Sequence, residues 1–164
     1  MWKNLVKLMH YAGLAGLAGG VVVSLVLADT IDATSPGQMA TVHAAIAQVG
    51  GAVVVPSMLI VLLSGMLLVV ARPQLIGARW VWVKAALGVA LGGVVLLSLQ
   101  PALRAAATMA VDGALGVRAM GPLASVVDAE VRAAWITLAL VVAAAVVAIW
   151  RPRLGRRPTP GEAE

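Results

Sequence analysis

The chain has no cysteine in its 164 residues, which excludes disulfides, thiolate metal sites and thiol nucleophiles together. Charge is scarce as well. Asp, Glu, Lys and Arg make up 12% of the sequence, too little to cover the surface of a water-soluble domain of this size. Carboxylates are missing altogether from the four longest apolar runs, 5–28, 43–71, 80–100 and 133–150. A pump or antiporter uses an intramembrane carboxylate to carry its proton, so their absence argues against that class. There is no phosphate-binding glycine loop, no paired catalytic carboxylate and no Ser-His-Asp set, which sets hydrolases aside. Without an internal repeat, an inverted-repeat transporter is unsupported.

What is present is apolar. Hydrophobic residues reach 62% and the mean hydropathy is +1.00, so the chain reads as an all-α integral membrane protein, a four-transmembrane-helix bundle. The runs are long enough for helices that cross a hydrocarbon core of about 30 Å. The first also admits a signal-peptide reading, with Lys3 and Lys7 ahead of the apolar stretch and Val26-Leu27-Ala28 as a cleavage site, although it exceeds the usual h-region. Ser35-Pro36-Gly37-Gln38 has the pattern of a capping box, which starts the second helix near Pro36. Pro56, near the middle of that helix, predicts a kink. The segment 103–130 reads as a helix extension and external loop, and 151–164 as a basic, proline-rich, disordered cytoplasmic tail.

Charge sets the orientation. Lys3, Lys7, Arg72, Arg79 and the arginines after Trp150 gather on one side, against Arg104, Arg118 and Arg132 on the other. The positive-inside rule then puts both termini in the cytoplasm, N-in and C-in, with Trp80, Trp82 and Trp150 at the inner interface. Topology thus explains a pI of about 10.8, and no basic-aromatic surface for nucleic acid is visible. Gly16-xxx-Gly20 in the first span and Gly88-xxx-Gly92 in the third predict close helix contacts, with each other or across a homo-oligomer or another membrane partner.

Two side chains carry the chemical interest. His10 lies about six residues into the first span and Lys84 about five into the third, so helix rise brings them to nearly the same depth. A lysine there costs roughly 2.5 to 3.5 kcal/mol in lipid and needs an interior position, a partner or the interface. A neutral imidazole is the usual axial ligand of haem b, and a basic neighbour suits its propionates. Lys3, Lys7 and His10 share one helical face and would add positive charge to the same site. The competing reading is that His10 and Lys84 merely snorkel. His43 falls at the opposite end, roughly 25 Å from His10 by helix rise, and reads as an interfacial polar residue or a separate site. The scattered methionines read as packing.

Lys7-Leu8-Met9-His10, Pro56-Ser57-Met58-Leu59 with Ser64-Gly65, and Trp80-Val81-Trp82-Val83-Lys84 are similar to motifs of a group of small bacterial membrane proteins. That group comprises HemJ-type protoporphyrinogen oxidases, CopD-like copper-resistance domains and a related uncharacterised family of predicted integral membrane proteins. The resemblance covers about Met1 to Pro101, and Trp150-Arg151-Pro152 resembles the end of the uncharacterised family. It implies haem b on His10 and a functionally required Lys84. The chain departs from the HemJ pattern in having Gly13-Leu14-Ala15-Gly16 in place of an aromatic-rich segment, and no histidine after Lys84. The expectation is therefore a haem-binding or redox-related membrane protein, with His10, Lys84 and Lys7 at the cofactor and His10 on the iron. The alternatives are a non-enzymatic membrane subunit or scaffold, and a small-solute or copper permease.

Overall fold

A computed structural model describes residues 2–31, 34–71, 79–117 and 122–150. All the elements in them are helical, and they form four long helices: α1, Trp2–Asp29; α2, Pro36–Val70; α3, Arg79–Ala114; and α4, Leu123–Trp150. Each is long and apolar enough to cross a membrane. The expected basic tail 151–164, together with Arg72 and Arg118, lies outside the described residues.

The distribution of polarity is that of a membrane bundle. Large apolar side chains point outward, including Leu97 at 80% exposure and Ile149 at 84%, while His10, Ser24, His43, Ser64, Gln100, Glu130 and Thr137 are buried. In lipid the outer apolar surface costs nothing, and each inner hydroxyl must satisfy itself locally. Ser24 donates to the Gly20 carbonyl at 2.9 Å and Thr137 to the Ala133 carbonyl at 2.8 Å.

Glycine decides which helices touch. A Cβ on Gly13 would meet the Ser57 carbonyl and the side chains of Ile60 and Val61 at 3.0 Å. One on Gly16 would collide with the Ser57 hydroxyl, and one on Gly20 would meet Val54 at 2.8 Å. Gly88 and Gly92 face Leu62, and Gly92 also Met58. Both glycine faces are therefore covered by α2. The sequence expected them to meet each other or a second protein; instead the second helix lies between them and takes up both.

Two irregularities share one design. In α2 a π-turn, Gly50–Val54, ends two residues before Pro56, and in α3 a π-turn, Val95–Leu99, ends two residues before Pro101. The Val55 N–H bonds the Gly50 carbonyl and the Gln100 N–H bonds the Val95 carbonyl, each five residues back. Proline lacks an N–H and crowds the carbonyl four residues earlier, and a widened turn relieves both problems. This is why α3 continues through Pro101, beyond the expected end of the span near Gln100. The helix closes with a Schellman motif instead. Gly116 adopts φ 70°, its N–H bonds the Gly113 carbonyl and the Val117 N–H bonds the Asp112 carbonyl.

The start of α2 also differs from expectation. Ser35 makes no side-chain cap. Gln38 does not reach back to Ser35 but donates to the Thr30 carbonyl at 3.2 Å, tying the α1–α2 turn together, so the capping box does not form.

Candidate functional site

The chain direction puts His10, Ser64 and Lys84 at one end of the bundle, and His43 and Glu130 at the other. At the first end, His10 lies buried between α1 and α2. Its Nδ1 is 3.1 Å from the Val61 carbonyl and 2.9 Å from the Ser64 hydroxyl. A carbonyl only accepts, so Nδ1 carries the proton. The Ser64 hydroxyl accepts from that N–H and gives its own proton to the Ile60 carbonyl. The imidazole is thereby held in one tautomer, with its lone pair on Nε2. Gly65 faces the ring, and a Cβ there would sit 3.5 Å from His10 Cε1, an ordinary contact.

Lys84 is half-buried on α3, at the same end of the bundle as His10. Lys7, placed at the same site by its helical face, is exposed on α1, as are Leu8 and Tyr11 beside it.

The other end holds what the sequence missed. His43 is 1% exposed and Glu130 3%, and His43 Nδ1 lies 3.5 Å from Glu130 Oε2. Neither atom has a hydrogen-bond partner. His43 is therefore packed inside the bundle and not on its outer surface. The helix that carries the last apolar run begins at Leu123 and not at Ala133, so Glu130, just ahead of that run, is part of the same helix. Arg132 and Asp128 break the hydropathy there, but a different signal was available. Leu123, Val127, Glu130, Ala134 and Thr137 fall on one face at helical spacing, so Glu130 sits within a core stripe.

Beside His43 opens a pocket of about 410 Å³, lined by Ile31, Met39, Val127 and Asp128 among others. Its walls come from α1, α2 and α4. No family model, curated protein or solved structure matches the chain, so the geometry and the sequence carry the functional argument.

Proposed function

We propose that the chain is a bacterial inner-membrane protein with both termini in the cytoplasm, which holds haem b at its inner end through His10. The observation that carries this reading is the Nδ1 bond to the Val61 carbonyl at 3.1 Å. Histidines that ligate a metal commonly donate their other N–H to a carbonyl, which fixes the ring and raises the basicity of the ligating nitrogen. His10 is set up in this way, with Nε2 as the free nitrogen. Lys84 supplies a positive charge for a carboxylate-bearing ligand, and α2, bent at Pro56, forms the wall. A bound haem b would supply one-electron chemistry. The residues' own part is to fix the imidazole, balance negative charge and exclude water.

The test is the visible spectrum of the detergent-purified protein, oxidised and dithionite-reduced, beside His10→Ala. A Soret band with sharpened reduced α and β bands, lost in the variant, supports the assignment; a flat spectrum after expression with ample haem ends it.

A second reading rests on the same contact and on the glycine face of α1. His10 also clamps α1 to α2, as a helix-packing subunit or scaffold would require. In that case His10→Ala lowers stability in a protein that carries no chromophore.

A further inference from the structure

The pocket beside His43 is separate from any ligand on His10. Glu130 stands twenty residues before Trp150, about 30 Å along α4 and so one hydrocarbon thickness away. With Trp150 at one boundary, the turns of α4 ahead of Glu130 reach the headgroups and water at the other. There the pocket of about 410 Å³ opens, within the size range of small-molecule sites. Ile31, Met39, Leu123 and Val127 give it apolar walls, and its polar side chains are His43 and Asp128. Its charge has one sign, since Asp128 lines it and neither Lys nor Arg does so among the described residues. Asp128 is exposed and makes no ion pair with a described residue, Arg132 one turn along α4 included.

We propose that this pocket binds a small organic cation from the aqueous side, a primary amine on an aromatic or branched aliphatic body. Two features set that chemistry. An unpaired carboxylate at the rim favours a positive charge, and an ammonium supplies the N–H donors that a carboxylate accepts. Apolar walls favour a body that gains by leaving water. A hydrophilic cation would gain nothing from those walls, and an amphiphilic acid would meet Asp128 with like charge. His43 is 1% exposed, and its Nδ1 is turned toward Glu130 and out of water. It therefore closes the pocket on the side of the bundle interior as a wall, and Asp128 is the charged contact.

Equilibrium dialysis of radiolabelled phenethylamine against the full chain in maltoside micelles, with empty micelles as the blank, is the test. One saturable site per chain is expected, with phenethyl alcohol a competitor weaker by about three- to fivefold, the scale of an exposed ion pair. Asp128→Asn is expected to weaken the amine by the same factor and to leave the alcohol unchanged. Ala124→Trp, which fills the pocket from an exposed position, is expected to abolish binding of both. Asp128 and Ala124 are both exposed, so neither change disturbs the core. The proposal is overturned if no saturable binding is found, if the alcohol competes as well as the amine, or if binding survives Ala124→Trp. Displacement of the amine by phosphatidylethanolamine in nanodiscs would overturn it too, by making a lipid headgroup the occupant.

Discussion

At one end of the bundle the imidazole of His10 meets a hydroxyl and a carbonyl, each within hydrogen-bond distance; at the other, His43 Nδ1 faces a carboxylate oxygen at 3.5 Å and has no hydrogen-bond partner. Both histidines are buried in helix interfaces. The first is satisfied by its own bundle and contributes to holding α1 on α2. The second is kept at a cost, which points to a role other than packing. A buried histidine in a membrane helix is thus interpretable only after its partners are counted.

The largest expected effect comes from disturbing the unsatisfied end. His43→Leu leaves Glu130 buried without its partner and is expected to cost about 3 kcal/mol, whereas adding Glu130→Leu restores the parent stability or exceeds it. Denaturant unfolding in mixed micelles measures both, and a double variant weaker than the single one would place the pair among the stabilising contacts. Gly50→Ala follows, at about 2 kcal/mol by the same measurement, because the new methyl collides with Leu103 and comes within 2.9 Å of the Gln100 side-chain oxygen. At the satisfied end, Ser64→Ala removes one bond to His10 and is expected to cost about 1 kcal/mol, the usual worth of a hydrogen bond inside a membrane bundle. Gly65→Ala is the smallest, within about 0.5 kcal/mol, since the added carbon makes only ordinary contact with the His10 ring. A large loss there would mean that the His10 end has no slack, and the contrast between the ends would fail.

The helices were legible because hydropathy is a property of long windows, and four apolar runs survive any local irregularity. The placement of His10 and Lys84 at the same end was legible because rise per residue converts sequence position to depth. Glu130 was hidden because Arg132 and Asp128 lower the average hydropathy around it, although both are exposed and only its own face enters the core. The destination of the glycine faces was hidden too. Spacing shows that a backbone admits close approach but not which helix arrives, and that depended on Ser57, Met58 and Leu62 of α2.

The π-turn in α2 has a consequence for which way its two ends look. His43 and Ser64 are twenty-one residues apart, and in an unbroken α-helix they would project within about 60° of each other. The five-residue turn between them absorbs one extra residue, which swings the two directions to about 160° apart. One helix can thus serve α4 with His43 and α1 with Ser64, on nearly opposite sides. A deletion of a single residue between Gly50 and Val54 would keep every side chain named above and still turn one of the two histidine sites away from its partner.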